Sequence, residues 1–228
     1  MHPIRRIRSF VRREGRRTPA HARLWDKLWP IYGISLLPQE VLALEDVFGR
    51  PNEKILEIGF GDGQSLATMA KATPEKDFIG VEIYKTGICS LLATLEKEAL
   101  ENVRIFCADA LEVLEYKIPD ASLSAMQVFF ADPWPKTRHH KRRLIQSSFV
   151  MLAAQKIKPG GILHLATDWM DYAHQMMTVM SDNLFFENTA GPGQFTPRPS
   201  HRPLTKYEQK GLQQGHKTWD LIFKRAGL

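Results

Sequence analysis

Residues 54–63 read KILEIGFGDG, a short apolar run that leads directly into three glycines at alternate positions. The run Lys54–Ile58 is nearly continuous in apolar residues, which predicts a β-strand buried on both faces. The three glycines, Gly59, Gly61 and Gly63, predict a tight turn into a helix, where a ligand can approach the backbone. A dinucleotide fingerprint requires glycine at position 64, where the chain has Gln64, so the turn disfavours a pyrophosphate-binding dehydrogenase.

The alternation of apolar runs and amphipathic stretches continues along the chain. Further strands are predicted at 78–81, 103–106, 123–130 and 162–166, and helices at 38–48, 64–72, 85–99, 110–116, 144–157 and 169–181. Strands that alternate with helices indicate an α/β fold with a doubly wound, mostly parallel, Rossmann-like sheet. The Pro- and Gly-rich stretch 191–203 predicts a long loop, and long loops in compact domains are often functional.

The composition excludes several other classes of protein. With 228 residues, 43% hydrophobic and 25% charged, the chain has the balance of a globular protein. No window approaches the ~20 apolar residues of a membrane span, and the start lacks the apolar segment of a secretory signal, so we expect no membrane partner. Cys89 and Cys107 lack metal or disulfide spacing, and the histidines show no metal-ligand pattern. We therefore expect a cytoplasmic protein without a bound metal.

The positive charge is concentrated in two places. Residues 1–30 contain nine Arg and Lys against two acids, and residues 136–143 form a second basic block without any acid. Such concentration favours a polyanionic partner, although a merely solvated tail is the alternative for the first segment. We expect a basic, mobile extension over 1–33 and a single domain over 34–228, as a monomer or a homodimer.

Acidic residues recur at the ends of the predicted strands. Glu82, Asp109 and Asp132 directly follow apolar runs, Asp168 follows the fifth run, and Glu57 lies near the end of the first. In an open α/β sheet the ligand crevice lies outside the carboxyl ends of the strands, so five carboxylates should line one crevice. Crowded like charges require a cationic ligand, and the sulfonium and ammonium groups of S-adenosylmethionine meet that requirement. Magnesium is the competing explanation, but no D-x-D pattern accompanies these acids.

The fourth predicted strand ends in the sequence ADPWPK, residues 131–136. Two prolines stiffen this turn, so Asp132 should be held at the crevice and Trp134 should offer a face on which a base can stack. The basic block that follows is expected near the start of the next helix, where it could bind a phosphate backbone. Farther along, Thr205 and Glu208 have the spacing of a helix capping box.

Together these motifs resemble the bacterial tRNA (guanine-N7)-methyltransferase family, which has the class I S-adenosylmethionine-dependent fold. The resemblance covers most of the chain from about Lys54 onward and rests chiefly on DPWPK, with GVE at 80–82, ATD at 166–168 and TKYE at 205–208. It implies that Asp132 is the catalytic position. The cofactor contacts it implies, with the glycine turn, are Glu57, Gly59, Gly61, Gly63, Glu82, Asp109 and Asp132. The substrate contacts it implies are Lys136, Asp168, Thr205, Lys206, Tyr207 and Glu208. The RNA contacts it implies are Arg138, His139, His140, Lys141, Arg142 and Arg143.

Two other functions stay open at this point. One is an amino-methyltransferase that acts on an exocyclic base nitrogen, because Asp-Pro-Trp-Pro is similar in form to the N/D-P-P-Y/F/W loop of such enzymes. The other is a nucleic-acid-binding module that has lost its catalytic activity.

Overall fold

The computed structural model describes residues 9–10 and 18–227, apart from the side chains of Lys206 and Tyr207. In this part of the chain the helices are α1 (Pro19–Tyr32), α2 (Leu44–Phe48), α3 (Gln64–Ala72), α4 (Lys85–Lys97), α5 (Ala110–Tyr116), α6 (Ser147–Lys156), α7 (Met170–Ser181) and α8 (Lys206–Gln213). The strands are β1 (Gly33–Ile34), β2 (Lys54–Ile58), β3 (Asp77–Val81), β4 (Val103–Phe106), β5 (Leu123–Phe129), β6 (Ile157–Thr167), β7 (Phe186–Asn188) and β8 (Trp219–Arg225). A 3₁₀ helix, Thr137–Arg142, precedes α6.

The strands form one sheet in the order β1-β4-β3-β2-β5-β6-β8-β7. The pairs from β1 to β6 are parallel, and β8 runs antiparallel to both β6 and β7. The predicted α/β class and mostly parallel sheet are confirmed. From β2 the chain builds β3 and β4 on one side and then β5 and β6 on the other, which creates a switch point beside β2 where ligands bind in such sheets.

Hydrophobic cores cover both faces of the sheet. One cluster joins α2, α5, α6 and α7 to residues such as Leu56, Met126 and Leu163. The other joins α1, α3 and α4 to residues such as Ile55 and Ala166. Successive residues of a strand point to opposite faces, so the apolar runs recognised in the sequence fill both layers.

The predicted 1–33 extension is corrected from Thr18 onward. Thr18 caps α1 by accepting a hydrogen bond from the His21 backbone at 3.2 Å, and the helix buries Leu28 and Tyr32 in the core. The helix α1 packs chiefly on α4, and β1 adds an edge strand to the sheet. The apolar face of α1 was not recognised in the sequence because basic residues surround it. Within the predicted tail, residues 1–8 and 11–17 lie outside the described residues.

Other boundaries also differ from the predictions. The helix predicted over 38–48 is only α2, because the chain before it is irregular and the Leu42 amide donates to the Lys117 carbonyl at 3.0 Å instead of to a carbonyl one helical turn earlier. The helix predicted over 144–157 begins at Ser147, so the basic block forms the separate 3₁₀ helix rather than the N-terminus of α6. Strands β7 and β8 were not predicted.

Candidate active site

Two adjoining cavities lie at the carboxyl ends of the central strands. The first, about 210 Å³, is lined by residues that include Glu82, Tyr84 and Asp132, and we call it the Glu82 cavity. The second, about 270 Å³, is lined by residues that include Glu57 and Thr205, and we call it the Glu57 cavity. Gly59 and Phe130 line both cavities. The switch point of the sheet therefore opens into two adjoining acidic cavities, which together we call the crevice.

The glycine turn leaves space in this crevice. Gly59, Gly61 and Gly63 have φ angles of +74°, +60° and +77°, which side chains rarely adopt. A Cβ at Gly59 or Gly61 would meet no protein atom within 4 Å, so a side chain there would occupy room that a ligand can use. Gly87 of α4 was not predicted as a site residue, yet a Cβ there would lie 2.0 Å from the Gly61 carbonyl oxygen. The turn can keep its shape only because α4 has glycine at that point.

The carboxylate of Glu82 braces the glycine turn. Its Oε2 accepts a hydrogen bond from the Gly61 amide at 3.0 Å, and its Oε1 accepts from the amides of Ile83 and Tyr84 at 2.7 and 3.0 Å. Burial raises the pKa of Glu82 above its usual value, although these three hydrogen bonds act to lower it. Each carboxylate oxygen has two lone pairs, and these amides use three of the four, so only Oε2 can accept a further hydrogen bond, from one of the two ribose hydroxyls that were predicted to bind Glu82.

Glu57 lies within β2, with its side chain buried. Burial, with a smaller contribution from Glu82, raises the pKa of Glu57 to about 8. Its Oε2 atom has no hydrogen-bond partner among the described residues. An unpaired buried carboxyl group is costly, so this atom needs either a proton or an external donor.

Glu57 begins a row of polar side chains across one face of the sheet. It lies beside Gln127 of β5, and Gln127 lies beside His164 of β6, so the three side chains share the face of the α3 and α4 core. The His164 Nε2 and Asp220 Oδ1 atoms are 2.8 Å apart. The sequence analysis did not single out Gln127, His164 or Asp220, although a polar residue inside an apolar strand is a signal that could have drawn attention to the first two.

The turn that carries Asp132 has an unusual backbone. Asp132 lines the Glu82 cavity, and the flanking residues Phe130 and Trp134 have φ angles of +56° and +45°. For large side chains this conformation is strained, and such strain is often found at functional sites. The Trp134 indole donates a hydrogen bond to the Ser9 carbonyl at 2.9 Å, and the Arg142 guanidinium lies 4.7 Å from its ring centroid. One face of Trp134 is thus already occupied by a cation, so a base stacked there would have to displace Arg142.

Arg143 does not belong to the RNA-facing surface that was predicted for it. It is 2% exposed, and its Nε donates to the Pro133 carbonyl at 2.8 Å. Its other nitrogens contact Gln175 at 2.9 Å and Asp171 at 2.5 Å, both on α7. Arg143 therefore ties the turn after Asp132 to α7 instead of reaching toward a ligand.

The rest of the basic block lies open to solvent. Arg138, Lys141 and Arg142 are exposed, whereas His139 and His140 are half-buried. Partial burial lowers the pKa of His139, and the neighbouring cations Arg138, Arg142, Lys136 and Lys141 lower it further. The short helix thus presents a positive surface beside the crevice.

The predicted substrate segment is only partly brought to the crevice. Thr205 lines the Glu57 cavity and caps α8 by accepting from the Glu208 amide at 3.1 Å, as the capping box predicted. The Glu208 carboxylate is buried and pairs with Arg202, a residue that the sequence analysis missed. The side chains of Lys206 and Tyr207 lie outside the described residues.

The other predicted residues lie around the crevice. Asp109 caps α5 by accepting from the Leu111 amide at 2.9 Å, and its neighbours Ala108 and Ala110 line the Glu82 cavity. Asp168 follows β6 directly, and Lys136 is exposed at the start of the 3₁₀ helix. Neither lines the two cavities.

Among residues 9–10 and 18–227, no group of three or more His, Cys, Asp or Glu side chains could hold a metal ion. No helix in the described part of the chain is long and apolar enough to cross a membrane.

Comparisons with known proteins give one family by sequence and a wider group by fold. A family model described as "Putative methyltransferase" matches residues 51–221. A tRNA (guanine-N(7)-)-methyltransferase from Nitrosococcus oceani is 54% identical over 222 residues, covering 97% of this chain and 92% of that protein. The protein of the same name from Alcanivorax borkumensis is 51% identical, with the same coverage. The crystal structure of the 16S rRNA methyltransferase KamB has a TM-score of 0.60 at 14% identity, covering 82% of this chain and 95% of that one, so it shares the fold.

Proposed function

Because the chain belongs to the tRNA (guanine-N(7)-)-methyltransferase family, we propose that it methylates N7 of a guanine in the variable loop of tRNA. S-adenosylmethionine is the methyl donor. The observation that carries the proposal is the acidic crevice at the switch point, where Glu57, Glu82 and Asp132 meet beside the glycine turn.

The crevice suits a cationic nucleoside cofactor. The unpaired Oε2 of Glu57 can accept a hydrogen bond from an ammonium group, and Oε2 of Glu82 can accept one from a ribose hydroxyl. Open space above Gly59 and Gly61 allows close approach to the backbone. The residues that would hold the cofactor are Glu57, Gly59, Gly61, Gly63, Glu82, Asp109 and Asp132. When bound, S-adenosylmethionine supplies an electrophilic methyl group on a positively charged sulfur.

The residues of the chain then have little chemistry to perform. Guanine N7 has a lone pair in the plane of the base, so no proton has to be removed before it attacks. Asp132 would orient the acceptor and stabilise the positive charge that develops on the base. The reaction therefore depends mainly on positioning, which agrees with a crevice that is built from rigid strand ends.

The RNA would lie across the rim of the crevice. The substrate contacts we propose are Lys136, Asp168, Thr205 and the segment that follows it, and the phosphate contacts come from the exposed cations of residues 136–142. Arg143 and Glu208 are buried against other side chains, so we assign both a supporting part.

The proposal is tested by mapping the methyl group. The full chain is incubated with S-adenosylmethionine and an unmodified tRNA transcript, and the product is digested with nuclease and analysed by mass spectrometry. We expect 7-methylguanosine in the variable loop, with strand cleavage after borohydride and aniline treatment. A methyl group on an exocyclic nitrogen would favour the amino-methyltransferase instead, and failure to bind the cofactor in isothermal titration would favour a non-catalytic binding module.

A further inference from the structure

Arg202 is a fully buried arginine in the long loop that precedes α8. Its exposed fraction is 0%, although the loop around it lies at the surface. The guanidinium donates two hydrogen bonds to Glu208, both at 2.7 Å, and two to Asp220, at 2.7 and 3.0 Å. Each carboxylate receives a paired set of donors, which only the planar fork of arginine can supply to two partners at once.

This arginine connects three separate parts of the chain. Glu208 belongs to the first turn of α8, and Asp220 belongs to β8 and reaches His164 of β6. The guanidinium also lies 5.8 Å from the ring centroid of Phe129 and 5.6 Å from that of Phe130, at the end of β5. The loop, α8 and the carboxyl ends of the central strands are therefore fixed to one another through a single side chain.

The position of this network relates it to the crevice. Phe129, Phe130 and Thr205 all line the Glu57 cavity, and Phe130 precedes Asp132 by two residues. One guanidinium thus contacts the strand end that leads to Asp132 and also holds the helix that Thr205 caps. A network that served only to fold the chain would have no reason to meet both sides of the crevice.

Energetic considerations point the same way. A buried ion pair seldom stabilises a protein more than apolar residues of similar volume would, because the charges lose their hydration. Added stability alone is therefore a weak explanation for Arg202 and its two carboxylates, whose fixed geometry suits a positioning role.

We infer that Arg202 is a positioning residue. It holds the Thr205–Glu208 segment at the crevice so that the substrate base is correctly placed against Asp132. The inference rests on the proposed function, in which that segment contacts the substrate. In this role Glu208 acts indirectly, through its hydrogen bonds with Arg202.

The test is Arg202→Lys, which keeps the charge but has only three donors and cannot supply the two hydrogen bonds that each carboxylate receives. A matched control is Arg50→Lys. Arg50 also donates two hydrogen bonds to a buried carboxylate, that of Asp77, but it lies at the amino ends of the central strands, away from the crevice. We expect Arg202→Lys to lower kcat/KM for tRNA by about 10²-fold, the cost of a misplacement of about 1 Å. The Kd for S-adenosylmethionine should stay within about twofold, and hydrogen exchange should rise at residues 205–213 only. The control should leave both kinetic quantities unchanged.

Two results would overturn the inference: unchanged tRNA kinetics, or equal losses in tRNA turnover and in cofactor affinity. If Arg202→Lys does not fold, Glu208→Gln is used instead, because it removes the charge of one of the two carboxylates. It must then lower kcat/KM for tRNA to the same extent and leave the Kd for S-adenosylmethionine unchanged. If both fold, the double variant must be no worse than the worse single variant, because the two residues act as one unit. Mapping the methylated product of the wild-type protein tests the proposed function separately, because its outcome does not depend on the role of Arg202.

Discussion

The two ends of β2 and β3 hold buried charge in opposite ways. At their amino ends, the Lys54 Nζ atom is 2.9 Å from Asp77 Oδ2, and Arg50 donates to Asp77 Oδ1 from two nitrogens. At their carboxyl ends, Glu57 lies within the last residues of β2 and Glu82 directly follows β3. In the described part of the chain, no cationic side chain forms an ion pair with either of these acids.

The difference shows which end of the sheet is built for binding. A buried carboxylate that is paired with cationic side chains contributes to the fold and needs no further partner. A buried carboxyl group without such a partner has a raised pKa, and a ligand of opposite charge can stabilise its ionised form. The same strands therefore support stability at one end and cofactor binding at the other.

Asp77→Asn should affect stability alone. The substitution removes the carboxylate between Lys54 and Arg50, so the free energy of unfolding should fall by about 3–5 kcal/mol, as measured by urea denaturation. Glu98→Gln is the control, since its ion pair with Lys71 is exposed to solvent and should contribute far less to stability. A loss of cofactor affinity per folded molecule in Asp77→Asn would contradict the division between the two ends.

Asp132→Asn should affect turnover and leave the fold intact. The amide keeps the size of the side chain but loses the charge beside the reacting base, so the single-turnover rate should fall roughly 10²–10³-fold. The rate is measured at saturating S-adenosylmethionine, with Asp182→Asn at the exposed end of α7 as the control. A rate near that of the wild type would remove Asp132 from the mechanism.

Glu57 should make stability fall as the pH rises. Its pKa is about 8 in the folded state and near the usual 4.5 in the unfolded chain, so between these values the folded protein holds the extra proton. The free energy of unfolding should therefore decrease from about pH 4.5 to about pH 8, by at most about 1.4 kcal/mol per pH unit. Glu57→Gln cannot ionise and should lose this contribution, as shown by denaturation at several pH values. Identical pH profiles would place the Glu57 carboxyl group in a more solvated environment.

Much of the fold could be predicted because its central strands are buried on both faces. Continuous apolar runs marked β2 to β5 and the last part of β6, and the glycine turn marked their polarity. The amphipathic helix α1 and the antiparallel strand β8 escaped because basic or mixed residues interrupt their apolar pattern. Their burial depends on partners that are distant in the sequence, such as α4 for the helix.

The candidate site divides in the same manner. Glu82 directly follows β3 and Asp132 lies three residues after β5, so the rule on strand ends placed them at the crevice, where the structure also has them. Arg202 could not be found in this way, because its importance depends on carboxylates 6 and 18 residues away in the sequence. Arg143 shows the reverse error: it follows a run of exposed cations, and only the structure reveals that it is buried.

The smallest expected effect concerns the cations at the rim, which lie outside the two strand ends but belong to the binding side. Lys141→Ala and Arg138→Ala each remove an exposed charge, so each should flatten the dependence of log K for tRNA on log salt by about 0.7–0.9 if one phosphate contact is lost. The free energy of unfolding should not change, since neither side chain is buried. Arg143→Gln provides the contrast: it also removes a charge, but the Arg143 guanidinium is buried and holds the Pro133 carbonyl, so the variant should slow turnover without changing the salt slope. Filter-binding titrations over a series of salt concentrations measure the slope, and an equal change in all three variants would return Arg143 to the RNA-contacting surface.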